Sequence, residues 1–278
     1  MHIPVLKKEV IEGLNPKEDE NFIDATFHMG GHSQLILEKT KGKILGIEID
    51  EDIFKKAKEK FKDNKRVVLI NDSYVNLEEI VEEIDFKNVN GILFDVGMSS
   101  WHIDESKRGF TFKKDEPLNM LFKKEGMSAE EIVNTYTKDE LERIFKDYGE
   151  EKKARKIAEA ILKARKEKPI KTTFELRNVL AQNYHALPRI FQALRIEANK
   201  ELENLRKTLP QALKVLKSGG RLLVISFHSG EDRIVKQFIK ENKDKIEPLN
   251  KKPIVPEMEE IKQNPRSRSA KLRILIKK

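Results

Sequence analysis

Short apolar runs and amphipathic stretches alternate over residues 1–100. Phe22–Thr26 (FIDAT) reads as a buried strand that ends in a glycine-bearing loop, and His32–Lys39 as a helix. Lys43–Ile49 (KILGIEI) is a second strand. In Glu51–Phe61 the residues Ile53, Phe54, Ala57 and Phe61 recur near helical spacing. Arg66–Ile70 (RVVLI) and Gly91–Val96 (GILFDV) are a third and a fourth strand. Strands apolar on both faces and alternating with helices predict a parallel sheet covered by helices.

From about Ser106 to Pro188 the pattern is almost wholly helical. Ser128–Glu131, Thr137–Glu140 and Thr172–Glu175 each match a capping box, in which the side chains at either end of the first turn satisfy two orphan amides. Leu141, Ile144, Phe145 and Tyr148 fall on one face, and Ala154, Ile157, Ala158, Ile161 and Leu162 form another stripe. The sheet pattern then returns. A long helix is predicted from about Phe191 to Leu216, stopping at Gly219-Gly220. Arg221–Phe227 (RLLVISF) is a buried strand, Glu231–Asn242 a helix, and Lys271–Ile276 (KLRILI) alternates as an edge strand would. The expected organisation is an α/β domain of residues 1–105 and 191–278, with a Rossmann-like layout, interrupted by an all-helical insertion at 106–190.

Charge adds a partner. Charged residues make up 37% of the chain, so its surface must be densely charged around the 38% that is hydrophobic. Of a net +8, residues 106–189 carry +6 and 261–278 carry +7, which leaves the remainder at −5. Two basic segments beside an acidic core suit a polyanion such as RNA, although a Lys/Glu-rich composition alone can produce such excesses. No cysteine is present, which excludes disulfides and thiolate metal sites, and the histidines show no metal spacing, so no metal is expected. No apolar run has the length of a membrane span or a secretory leader, so no membrane association is expected and the cytoplasm is the expected compartment.

Candidate chemistry sits where predicted strands end. The loop Asp24–Ser33 contains Gly30-Gly31, which lets backbone approach a ligand closely, and a helix start there would favour a carboxylate or a pyrophosphate. Glu48 and Asp50 follow Gly31 by 17 and 19 residues, the distance at which an acid accepts ribose hydroxyls in dinucleotide folds. Asp95 ends the fourth strand, placed for ligand or catalysis, or as a helix cap. Ser226-Phe227-His228-Ser229 ends another strand, but it lacks the G-x-S-x-G elbow of a hydrolase; Glu231 and Asp232 fit a helix start. The tail from Asn264 to Arg273 carries Arg266, Arg268, Lys271 and Arg273, able to grip phosphates or to guard a solvated edge strand.

These motifs together resemble the ribosomal small-subunit methyltransferase H family, also called MraW. The resemblance runs nearly the whole chain. It takes in His2–Leu6, Asp24-Ala25-Thr26, Gly30–Ser33, Asp95–Ser100, Arg108-Gly109-Phe110, Pro117-Leu118, Tyr148–Glu151, Phe191–Ile196, Ile225–Ser229, Glu231–Lys236 and Asn264–Ser269. It implies a class I methyltransferase fold with a helical insertion. It further implies transfer of methyl from S-adenosylmethionine to the exocyclic N4 of a cytidine in the decoding region of 16S rRNA, within the small ribosomal subunit. It assigns Gly30, Gly31, His32, Glu48, Tyr74, Asp95 and His102 to the cofactor. Arg108, Arg266, Arg268 and Lys271 are the expected RNA contacts.

The chain departs from the family pattern at His28, where the family usually has Gly, and at Asn119, where it has Asp. Leu121 and Phe122 stand for Arg and Met; Glu48, Tyr74, His102 and Gly230 stand for Asp, Phe, Gln and Leu. A cytosine amine is a weak nucleophile, so a hydrogen-bond acceptor near the methyl is needed, and Asp95 is the best candidate. The Asp/Asn-Pro-Pro-aromatic motif of many amino-methyltransferases is absent. Two other readings are a catalytically weakened ribosome-binding or assembly protein on the same fold, with catalysis lost through His28 and Asn119, and a nucleotide-dependent oxidoreductase with similar strand-end geometry.

Overall fold

The computed structural model describes residues 4–278, so His2 and Ile3 of the first motif lie outside the described residues. By contacts the chain divides into two compact units, one formed by residues up to Gly97 together with Leu202–Lys278, the other by Met98–Glu201.

The first unit is built on a seven-stranded sheet. Its strands are β1 (Asn21–Asp24), β2 (Ile44–Ile47), β3 (Val67–Ile70), β4 (Val89–Asp95), β5 (Leu216–Ser226), β6 (Ile246–Pro248) and β7 (Lys271–Lys277). Their order is β3-β2-β1-β4-β5-β7-β6, parallel from β3 to β5, with β7 antiparallel to both β5 and β6. The continuous apolar runs are explained by burial on both faces. Ile23, Leu45, Phe94 and Val224 join one apolar layer, while their chain neighbours Phe22, Ile44, Leu93 and Leu223 join the other. Strand order reverses between β1 and β4, the place where open α/β sheets bind ligands at the carboxyl ends of strands.

Two expectations are corrected here. KLRILI is not an edge: β7 lies between β5 and β6, with Ile254 bridging to Leu272, so its apolar residues are covered on both sides. The long helix is two helices, Leu187–Asn199 and Glu201–Val215, broken at Lys200 in the left-handed conformation (φ 52°). Asn199 explains the break, since its side-chain amide donates to the carbonyls of Met120 and Arg195 and its oxygen accepts from the Phe122 amide.

The second unit is helical. All three capping boxes form, at Ser128/Glu131, Thr137/Glu140 and Thr172/Glu175. Leu141, Ile144, Phe145, Ile157, Ala158 and Ile161 are fully buried. This unit takes in the short helix Ser100–Asp104 because its His102 ring packs on Phe110 and Phe122, centroids 4.9 Å away in each case. Leu121 and Phe122 are themselves buried, and Phe122 stacks on Phe110 at 5.5 Å. The apolar pair at these positions is therefore core. Asn119 accepts from the Leu121 amide at 3.0 Å and shapes the turn.

Candidate cofactor site

The loop after β1 is shaped by packing. Phe27 is buried against Phe61, ring centroids 5.3 Å apart, and reaches inward only because Gly46 of β2 has no side chain: a Cβ there would lie 2.2 Å from the Phe27 ring. Gly30 sits at φ +67°, and a Cβ on it would lie within 2.6 Å of both Phe27 and Phe61. Glycine is thus required there twice over, by backbone conformation and by space.

Acids gather at the ends of β1, β2 and β4. Asp24 is buried, one carboxylate oxygen accepting from Ser33 Oγ at 2.7 Å and the other lacking a hydrogen-bond partner. Glu48 accepts from the amides of His28 and Asp50, both at 2.8 Å. Burial pushes both the Asp24 and the Glu48 carboxyl above the usual range; the Ser33 hydrogen bond limits the rise in Asp24, and the charge of His28 limits it in Glu48. Asp50 takes the structural role, capping the helix Glu51–Lys60 through the amides of Asp52 and Ile53. Asp95 is not a cap, since the next helix is capped by Ser99. Asp95 is buried, with Oδ2 3.6 Å from His32 Nε2 and Oδ1 without a hydrogen-bond partner. Both ring nitrogens of His32 also lack a hydrogen-bond partner.

His28 lies across this cluster. Its backbone is left-handed (φ 49°), a conformation that strains a side-chain-bearing residue by roughly 1–3 kcal/mol. Nδ1 lies 3.6 Å from Glu48 Oε2 and Nε2 lies 3.3 Å from the Asp95 carbonyl, so the ring spans the gap between β2 and β4. Glycine at this position should therefore tighten cofactor binding by roughly tenfold, about 1.4 kcal/mol. Calorimetric titration with S-adenosylmethionine checks this; unchanged or weaker binding by His28→Gly would identify the imidazole as an adapted contact.

Of the residues predicted for the cofactor, the structure brings Gly30, Gly31, His32, Glu48 and Asp95 to these strand ends. Tyr74 follows β3, its ring 5.7 Å edge-on to Phe94 of β4. His102 belongs to the helical unit, where its Nδ1 pairs with the Ser99 hydroxyl and amide. Asp24 was missed as a site residue, although it ends an apolar run just as Glu48 and Asp95 do. Buried acceptors without donors, beside the His32 ring, suit a cationic ligand bearing hydroxyl and ammonium donors. S-adenosylmethionine has a sulfonium, an ammonium and two ribose hydroxyls, and so fits the donor set. Among the described residues no His/Cys/Asp/Glu group could hold a metal ion.

Comparison with known proteins decides the lineage. The MraW methylase family matches residues 1–278. The chain belongs to this family. Relatives named ribosomal RNA small subunit methyltransferase H include one from Clostridium botulinum (44% identical, covering 99% of this chain and 98% of the relative) and one from Persephonella marina (45%, 98% of each). Two solved structures share the fold. One is a candidate methyltransferase from Streptococcus mutans in complex with SAH, with TM-score 0.52, 14% identity and 99% of each chain covered. The other is a candidate rRNA-methylase from Clostridium thermocellum, with TM-score 0.52, 13% identity and full coverage of both. The class I methyltransferase fold of this methylase accordingly places its sheet reversal and its acid cluster at the usual ligand position.

Proposed function

We propose that this methylase, whose cofactor is S-adenosylmethionine, methylates the exocyclic N4 of a cytidine in the decoding region of 16S rRNA within the small ribosomal subunit. The observation that carries the reading is the acid cluster at the sheet reversal, above all the Asp95 oxygen left without a hydrogen-bond partner. The names of the relatives support an rRNA substrate. The cytoplasm, where small subunits are made, is the expected compartment; among the described residues no helix is long and apolar enough to cross a membrane.

The bound cofactor supplies an electrophilic methyl group. Glu48 would hold ribose hydroxyls, Gly30 and Gly31 would let the backbone approach, and Tyr74 stands beside Phe94 of β4. His32 and Asp24 offer their unpartnered atoms. His102 is included on the family resemblance. Asp95 would accept a hydrogen bond from the target amine, turning its lone pair toward the methyl carbon, and would receive the proton that nitrogen loses as the methyl carbon exchanges its bond to the cofactor's sulfur for one to nitrogen. Holding the reactants in line supplies much of the rate. Small subunits lacking the modification, incubated with labelled S-adenosylmethionine, should gain label in N4-methylcytidine. Label in another nucleoside would overturn the assignment, and binding of subunits without any transfer would favour the assembly-protein reading.

RNA is held by the basic segments. Arg266 and Arg268 are exposed on a turn whose Ser267 between them is buried, its hydroxyl donating to the Asn264 carbonyl at 2.8 Å. Lys271 follows at the start of β7. Arg108 has a structural duty as well, with a guanidinium nitrogen 3.3 Å from the Leu121 and Phe122 carbonyls and the group stacked 5.4 Å from Trp101. Replacing Arg266 and Arg268 together by Ala should weaken RNA binding and shallow its salt slope by roughly 2 units, one per phosphate contact. Filter binding across a salt series tests this; an unchanged slope with a lowered Tm would leave the tail as structure alone.

A further inference from the structure

The segment that ends β5 has a residue left over. His228 and Glu231 are committed to each other and to the start of the helix Ser229–Glu241. Ser226 is buried, its hydroxyl donating to the Lys271 carbonyl at 3.4 Å. Phe227 is half-buried, and one side of its ring packs on the apolar layer that holds Leu93, Leu223 and Ile225.

We propose that Phe227 is the platform on which the target base stacks while its amine meets Asp95, an inference that rests on the RNA-methylation reading above. Asp95 of β4 is paired in register with Ile225 of β5. Phe227 lies in the turn just past the end of β5 and packs against the same apolar layer as Ile225. Asp95 lies on that same face, since it approaches His32 of the helix Gly31–Leu37, whose Ile36 and Leu37 belong to the same layer. The phenyl ring therefore stands one strand across from the acceptor and beyond it, where an extruded base would enter.

Two further features keep the ring fixed and uncovered. Glu231 accepts from the Phe227 amide at 2.7 Å and from the His228 amide at 3.2 Å, which holds the turn rigid. Gly97, two residues past Asp95, runs beside the ring: a Cβ there would lie 3.9 Å from Phe227 Cδ2. Its φ of +102° disfavours any side chain at that position, so none extends over the ring from there. The stretch Val96-Gly97-Met98 carries no aromatic residue after the acid. The turn after β5 supplies a flat apolar surface for the base.

The test is steady-state methyl transfer to small subunits, with cofactor affinity measured in parallel. Phe227→Ala and Phe227→Leu should each lower kcat/KM for the RNA substrate by about ten- to a hundredfold, the range of one lost base–aromatic stack. The Kd for S-adenosylmethionine should stay within about twofold of the unaltered protein, and Phe227→Tyr or Phe227→Trp should recover most of the loss. Leu keeps the packing volume without a π-face, so full activity in Phe227→Leu, or no recovery by Tyr and Trp, would overturn the platform. A fall in cofactor affinity equal to the loss in kcat/KM would also overturn it. Absence of transfer by the unaltered protein would instead overturn the methylation reading, and the platform with it.

Discussion

Replacing Arg273 with Ala should destabilise the protein by about 3 kcal/mol, the low end of the roughly 3–5 kcal/mol lost when a buried ion pair loses one partner. Arg273 of β7 and Asp232 of the helix Ser229–Glu241 are both buried, and Arg273 Nε donates to Asp232 Oδ1 at 2.7 Å. The low end applies because Lys236, 3.6 Å from the other Asp232 oxygen, remains. Burial opposes ionisation of Asp232, but the hydrogen bond and charge of Arg273, with Lys236 and Lys271, outweigh it and hold the carboxyl below its ordinary value. A carboxyl depressed in the folded state contributes stability above its unfolded pKa and loses it as pH falls through the folded value. Urea unfolding from neutral pH down through the carboxylate range should therefore show the variant and the parent converging in acid. A constant gap at every pH would mean that lost packing, not charge, sets the cost.

Asp95→Ala should slow methyl transfer by roughly 100- to 1000-fold, the scale of a positioned group that accepts a proton or hydrogen bond at the reacting atom. Cofactor binding should weaken by about 1–3 kcal/mol as well, because His32 would lose the carboxylate beside it. Asp95→Asn separates the two effects. It keeps one carbonyl acceptor, so it should restore cofactor binding more fully than turnover. Single-turnover rates with saturating cofactor make the comparison. Transfer by Asp95→Ala within about threefold of the unaltered protein would remove Asp95 from the chemistry.

Much of the architecture was legible along the chain because local rules dominate there. Strands buried on both faces must be apolar throughout, and FIDAT, KILGIEI and GILFDV announced the parallel sheet. A capping box is closed within four residues, so the helices beginning after Ser128, Thr137 and Thr172 could be placed to the residue. Glu48 and Asp95 were visible as acids at the ends of apolar runs, because a strand carries its chemistry to its carboxyl end; Asp24, in the same position on β1, was overlooked.

Tertiary structure decided what depends on distant partners. The break at Asn199 depends on distant groups, since besides the Arg195 carbonyl it serves Met120 and Phe122. KLRILI had the alternation of an edge, but Arg273 points at Asp232 and β6 covers the far side. Of the two acids after β2, local spacing allowed either; packing gave Asp50 to its helix and turned Glu48 to the His28 amide. The cluster itself exists only because the sheet reverses between β1 and β4, which brings residues some 70 positions apart to one place. Periodicity is set by a few neighbouring residues and so survives in the sequence. The meeting of side chains is set by strand order and by which groups burial leaves without water, and only the folded chain determines either.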